Sequence, residues 1–165
     1  MTTPVEDLAS WVLTTASNAL NDTEGIPDAP TAKRVHFGLV DTIAWDAICE
    51  GGQLVAAVEP FYPSARFPTP LGDVEKAATL WVVSVTLELV RCIPDKARLS
   101  DDTGLPKTSD VEALHVELMD QGWALACKFD AVLRHRPHPG YIRSVSTLVQ
   151  GDGAAVRVAL QLQVP

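Results

Sequence analysis

Cysteines are scarce in this sequence, and so are the features of an exported protein. The 165 residues include only Cys49, Cys92 and Cys127, with no paired spacing. An odd and sparse set is not typical of a disulfide framework, so we predict reduced thiols. A signal peptide is not expected either, because Glu6 and Asp7 interrupt the start of the chain and no basic segment precedes them. These features predict synthesis in a reducing cytosol.

Positive charge and long apolar runs are also in short supply. Lys and Arg number 13 against 21 Asp and Glu, which gives a formal net charge of −8. An acidic chain is not suited to neutralising many phosphates, although DNA could slide past a surface that repels it. No apolar run reaches the roughly 20 residues that a membrane-spanning helix needs. Composition therefore disfavours tight nucleic-acid binding and insertion into a membrane.

The chain nevertheless has enough apolar residues for a core. They make up 47% of the sequence, and the length fits one domain spanning residues 1–165. The mean hydropathy of +0.11 is slightly high for a solitary monomer. An assembly that hides additional surface would suit this composition.

Two helices are predicted. In the first, Thr3 is a candidate N-cap, Pro4 occupies the first helical position and Glu6 completes a capping box. In the second, Ser109 and Glu112 form another capping box. Apolar residues recur at helical spacing in both segments. They are Val5, Leu8, Ala9, Val12, Leu13, Ala16 and Leu20 in the first, and Val111, Leu114, Leu118, Gly122, Leu125, Phe129 and Val132 in the second.

Alternation with a period of two predicts five strands. They cover residues 34–39, 53–62, 78–93, 141–150 and 156–164. Two helices cannot cover both faces of such a sheet evenly. The expected fold is therefore α+β, with an antiparallel or mixed sheet of long strands and two main helices packed on one face. The last strand alternates most cleanly and is a candidate sheet edge.

The segment 78–93 is the longest of these strands. Sixteen residues at about 3.3 Å each would span roughly 50 Å. A domain of this size has a diameter near 40 Å, from a radius of gyration of about 15 Å. The length therefore predicts that the strand bends, or that part of it projects and pairs with another subunit.

No metal site is expected. His135 and His138 lie in a short Arg- and Pro-containing loop, while His36 and His115 fall on separate predicted elements. A zinc site needs several converging ligands, and neither these histidines nor the scattered cysteines have that spacing. The ordinary interpretation is a surface loop with local positive charge.

No catalytic or cofactor site is expected either. Ser84 lies mid-strand, outside a Gly-x-Ser-x-Gly elbow, and Cys127 lies on the second helix, where a buried small apolar role is usual. Asp101 and Asp102 belong to a polar turn next to Gly104. The chain also lacks a glycine-rich loop that could hold phosphates. We therefore predict a protein that is not an enzyme.

Four residues are candidates for subunit contacts. Trp11 lies off the main stripe of its helix, and Trp45 lies in an irregular segment where core and interface are equally plausible. Arg134 and Arg136 could touch DNA or pair with an acidic neighbouring subunit. Two other tryptophans are expected in the core. They are Trp81 and Trp123.

Five short motifs stand out along the chain. They are Ala44-Trp45-Asp46, Gly52-Gln53-Leu54, Phe67-Pro68, Leu87-Glu88-Leu89-Val90-Arg91-Cys92-Ile93-Pro94 and Asp120-Gln121-Gly122-Trp123-Ala124-Leu125. These motifs resemble a family of small neck proteins from long-tailed phages of actinobacteria, which belongs with the head–tail connectors and tail terminators. The resemblance covers about residues 34–165, and the order of predicted elements is also similar to that of tail terminators.

The resemblance implies a structural virion protein of the neck, assembled in the host cytoplasm. Such a protein forms a homohexameric ring that caps the tail tube, contacts the major tail protein, and presents its other side to the head-side connector or stopper. The ring stops tube growth, and DNA passes through its lumen without specific binding. Two alternatives stay open: another neck component, such as an adaptor or stopper, and a small cytosolic enzyme or ligand-binding domain with a polar pocket.

Overall fold

The structure, a computed structural model, describes most of the chain. The described residues are 4–46, 48–70, 80–93, 108–150 and 153–164. They form two long helices and a six-stranded mixed sheet, which confirms the predicted α+β class.

Both helices bury the apolar stripes that their sequences predict. Helix α1 is Pro4–Asn21 and helix α2 is Thr108–Leu133. Thr3, the predicted first N-cap, lies outside the described residues. The second capping box is wrong, because α2 begins at Thr108 and Ser109 therefore lies inside the first turn. The buried residues of α2 are Leu114, Leu118, Gln121, Gly122, Leu125, Phe129 and Leu133.

The strands follow in an order that makes the sheet almost wholly antiparallel. They are β1 Ala32–Phe37, β2 Gln53–Val58, β3 Tyr62–Ser64, β4 Leu80–Cys92, β5 Gly140–Gln150 and β6 Gly153–Val164. The sheet order is β1-β2-β4-β6-β5, with β3 pairing to β4 beyond the end of β2. Only the β1–β2 pair is parallel. The single strand predicted at 53–62 is thus divided between β2 and β3.

The core lies between the two helices and one face of the sheet. Alternate residues of β4 and β6 point toward the helices, since Leu87 pairs with Val158 and Leu89 with Val156. These side chains belong to one buried cluster with residues of both helices, such as Phe129. The intervening residues of each strand face the opposite side, which 3-10 turns at Val40–Thr42 and Ile48–Glu50 and their flanking segments approach.

Strand β4 does not project from the subunit. The prediction that part of it projects and pairs with another subunit is therefore wrong. Residues Trp81–Cys92 pair along their whole length with β6. On the other side of β4, β2 and β3 pair in succession with residues Val90–Val85 and Val82–Leu80. The long strand is the centre of the sheet because two shorter strands, placed end to end, cover the length that one neighbour could not.

The edge strand also differs from the prediction. Strand β6 lies between β4 and β5, so it is interior, and β5 forms the end of the sheet. Alternation could not distinguish the two, because an interior strand with one polar face alternates as cleanly as an edge. The polar residues of β6 instead face the helix-free side, where Arg157 pairs with Glu88.

Two cysteines are joined, which corrects the prediction of reduced thiols. Cys49, in the turn after β1, forms a disulfide with Cys92 at the end of β4, and their Cα atoms are 4.8 Å apart. The two residues are 43 positions apart in sequence, and the fold brings them together by pairing β2 with β4. Cys127 is free and exposed, so its predicted burial is also wrong.

Gly122 allows α2 to approach the sheet closely, as the sequence predicted. A Cβ atom built at this position would lie 2.7 Å from Cγ2 of Val156 and 3.4 Å from Cγ1 of Val145. Val156 is fully buried and β-branched, so it has little freedom to move aside.

We expect Gly122→Ala to lower the free energy of unfolding by about 1–2 kcal/mol, although alanine is the better helix former, because the added methyl overlaps Val156. Urea unfolding measures this change. The double variant with Val156→Ala should lose less than the two single variants added together. Additive losses, or a stabilised Gly122→Ala protein, would contradict the close contact.

We expect the oxidised protein to show one reactive thiol per denatured chain. Reduction should lower the free energy of unfolding by about 2–4 kcal/mol, because a long loop is released in the unfolded state. Thiol titration and urea unfolding, with and without reductant, measure both quantities, and Cys127→Ser is the control that should leave stability nearly unchanged. Three thiols in unreduced protein would show that the bridge does not form.

Candidate functional site

A buried carboxylate lies on the helix-free face of the sheet. Glu88, on β4, is 0% exposed. The indole Nε1–H of Trp45 donates to one carboxylate oxygen at 2.6 Å, and the Nε–H of Arg157 donates to the other at 2.6 Å. Arg157 also donates from Nη1 to Asp41 at 2.9 Å. Both oxygens of Glu88 are thereby satisfied, and the irregular segment after β1 is attached to the sheet.

The charged groups of this network pair with one another within the chain. Burial by itself lowers the pKa of Arg157, but the bonds to Glu88 and Asp41 outweigh it and raise the pKa. Breaking such a pair by removing one partner is costly, because the remaining charge stays buried. Since the pair is satisfied within the chain, its geometry is that of a structural anchor.

A second set of contacts holds the same segment beside the sheet. Arg34 of β1 donates from Nη2 to the carbonyl oxygen of Ala44 at 2.6 Å and from Nη1 to Asp46 at 3.3 Å. The same Nη2 also donates to the side chain of Gln53, which is buried at the start of β2. Residues 44–46 are therefore fixed from both sides of Trp45.

The turn before β2 requires glycine. Gly52 has a φ of +83°, and a Cβ atom there would lie 2.5 Å from the carbonyl oxygen of Val90. Its neighbour Gly51 accepts a hydrogen bond from Arg91 Nη1 at 3.0 Å. The positive φ and the close approach to β4 explain why two glycines precede Gln53.

Four of the five motifs that carry the family resemblance are joined by these contacts. Trp45, Gln53 and Glu88 belong to the network just described. Arg91 donates to Gln121 at 3.4 Å, and Gln121 donates to Glu117 at 2.9 Å. The fifth motif, Phe67-Pro68, contains a cis peptide bond and lies near β5 instead.

Trp11 and Arg136 are brought together at the opposite side of the molecule. Cζ of Arg136 lies 4.7 Å from the centroid of the Trp11 ring, a cation–π contact. Trp11 also meets Phe129 edge to face, with centroids 6.0 Å apart. Arg134 is close in sequence but points elsewhere, since it pairs with Asp130 at 2.6 Å. The four predicted contact residues therefore divide between two regions, with Trp45 alone on the helix-free face.

Helix α2 presents an apolar stripe to solvent. Val116, Met119 and Trp123 are 63%, 52% and 73% exposed, at spacings of three and four residues. The predicted core position of Trp123 is therefore wrong. Trp81 is also largely exposed, contrary to prediction, and meets Phe61 edge to face at 5.6 Å.

Helix α2, which carries this stripe, lies over the β5 end of the sheet, and Trp123 also lines a cavity with residues 22–26 after α1. Helix α2 packs on β5 and β6, and Gly122, next to Trp123, lies against Val145 of β5. Val145 and Val149 are themselves exposed. Strand β5 has a single charged residue, Arg143, among eleven. This end of the sheet, consisting of β5 with Val116, Met119 and Trp123, is called the β5 edge below.

The remaining chemical candidates stay separate. His135 is exposed, His138 lies beside Trp11, and Ser84 lies mid-strand on β4. Asp101 and Asp102 lie outside the described residues. Within the described ranges, no three His, Cys, Asp or Glu side chains are grouped so that they could hold a metal ion. In the same part of the chain, neither helix has the length and apolarity to span a membrane.

Comparison with models of protein families and with curated protein sequences finds no match.

The sequence did not reveal the importance of Glu88 and Arg157. A period of two puts both residues on the polar side of alternating strands, but it does not show what covers that side. A usable signal was present, since each charge stands alone between apolar neighbours, in Leu87-Glu88-Leu89 and Val156-Arg157-Val158. Glu88 and Arg157 are 69 positions apart in sequence, so local periodicity could not predict that they pair.

We expect Glu88→Ala to lower the free energy of unfolding by about 3 kcal/mol, because the indole N–H of Trp45 loses its acceptor and Arg157 keeps only its exposed partner Asp41. Asp41→Ala removes the exposed end of the same network and should cost about 1 kcal/mol or less. Urea unfolding compares the two variants. Equal effects of the two substitutions would show that Glu88 is not the anchor.

Proposed function

We propose that the protein is a structural, ring-forming virion subunit, a tail terminator at the head-proximal end of a phage tail. Six copies would cap the tube of major tail protein, stop its growth and join it to the head-side connector or stopper. The family resemblance supplies the identity and the number of copies. The observation that carries the assembly itself is the long, sparsely charged β5 edge, together with exposed apolar side chains at the other end of the sheet.

One end is the β5 edge. Among the described strands, none pairs with the outer side of β5, which is eleven residues long. Long uncharged edges favour pairing with another chain, and monomers normally protect them with charges, prolines or covering elements. The exposed stripe of α2 extends this surface with apolar area. A surface of this composition is typical of a protein–protein contact.

The other end of the sheet differs in shape and composition. Strand β1 is six residues long and contains Lys33 and Arg34. Phe37 at its end and Leu39 just after it are each 58% exposed. Two unlike patches on opposite ends of one sheet suit a heterologous contact, in which the β5 edge of one copy meets the β1 end of the next. Contacts of this kind close into rings when the rotation between copies allows it.

Electrostatics supports the proposed role of the lumen. The net charge of −8 per chain favours a ring that repels DNA over one that grips it. A channel that DNA must cross quickly gains from weak contact with phosphates.

We expect Trp123→Glu to prevent ring formation, because it places a charge on the exposed apolar stripe of α2. Ala113→Glu adds the same charge to an exposed position of α2 outside the stripe and should leave assembly unchanged. Light scattering and electron microscopy, alone and with tail tubes, measure the assembly. Wild-type protein that stays monomeric and ignores tail tubes would contradict the proposal, as would rings formed equally well by both variants.

A further inference from the structure

A cavity lies between the start of α1, the loop before β5 and the end of β6. Its volume is about 370 Å³. Trp11 and Arg136 lie side by side in its wall, with His138 near them and Asp7 at the α1 side. None of these residues contributes to the Glu88 network.

One nitrogen of the Arg136 guanidinium has no hydrogen-bond acceptor among the described residues. This nitrogen, Nη1, is buried. Burial lowers the pKa of Arg136, and no neighbouring carboxylate offsets that effect. Arg134, two residues earlier, has a carboxylate partner in Asp130. A half-buried cation without an acceptor is costly, so a ligand that supplies one would be favoured.

The ring of Trp11 holds the guanidinium plane in place. Cζ of Arg136 lies 4.7 Å from the centroid of that ring, and both side chains line the cavity. A planar fork of N–H donors matches the two oxygens of a carboxylate. Fixing that fork in advance reduces the entropy lost on binding.

We propose that the Trp11–Arg136 cavity binds a single carboxylate, supplied by an acidic side chain of a second copy of this chain. Charge balance favours this ligand over phosphate. The cavity contains one guanidinium and is bordered by Asp7, so a dianion would meet repulsion as well as attraction. The chain itself carries eight more acidic than basic side chains, so a second copy is a ready source of carboxylates.

The proposal that a second copy supplies the carboxylate rests on the proposed function. The proposal that the cavity binds a carboxylate does not depend on self-assembly. The site is tested on the isolated protein by NMR, following the indole N–H of Trp11 and the Nε–H of Arg136 during titration with sodium acetate. Sodium chloride and sodium phosphate at equal ionic strength are the reference titrations.

We expect a saturable shift of both signals with acetate. The Trp11 shift should disappear in Arg136→Gln and weaken in Arg136→Lys, which keeps the charge without the fork. Both shifts should persist in Arg134→Gln. Absence of saturation, or an equal response to chloride, would overturn the site. A response to phosphate but not to acetate would overturn the choice of carboxylate.

The source is tested by self-association, measured by light scattering over a range of concentrations. Arg136→Gln should weaken association roughly tenfold, while Arg134→Gln should match wild type. Equal association of both variants would overturn the second copy as the source, even where acetate binds. If no copies associate at all, the proposed function fails, and the acetate titration still decides the site.

Discussion

The fold depends on the hydrogen bonds and the ion pair that compensate the buried carboxylate of Glu88. Glu88 lies in the middle of β4, which has neighbours along both sides, and it is fully removed from solvent. Arg157 from β6 and Trp45 from the segment after β1 supply the two hydrogen bonds. Three distant parts of the chain are thereby placed in one arrangement. The disulfide between Cys49 and Cys92 attaches the same segment to the end of β4.

The polar groups that are paired within the chain and the surfaces that remain unpaired lie in different parts of the molecule. The helix-free face near Trp45 is occupied by the chain's own contacts, so its polar groups are already paired. The surfaces with unmet interactions lie at the ends of the sheet and at the Trp11–Arg136 cavity. Trp123 is largely exposed, and Nη1 of Arg136 has no acceptor among the residues that the structure describes. Both features are better suited to a subunit in an assembly than to a solitary protein. The proposal of a ring rests on this uneven distribution.

Local periodicity predicted where the helices and strands lie in the sequence, but not which of them pair or pack together. The stripe from Leu8 to Leu20 and the alternation of β6 identified a helix and a strand, because those patterns depend on residues a few positions apart. The central position of β4, the burial of Glu88 and the pairing of Cys49 with Cys92 depend on contacts between segments 43 to 69 residues apart. Of the candidate contact residues, Trp11 and Arg136 proved to be adjacent. Nothing in their spacing of 125 positions indicated it.

The most direct test of the account is the length of tails assembled without this protein. If the chain terminates tail tubes, particles made in its absence should contain tubes of uncontrolled length that fail to join heads, and adding the purified protein should restore the joining of tubes not yet overgrown. Electron microscopy of both preparations measures tube length and attachment. Tails of normal length joined to heads without the protein would contradict the central claim.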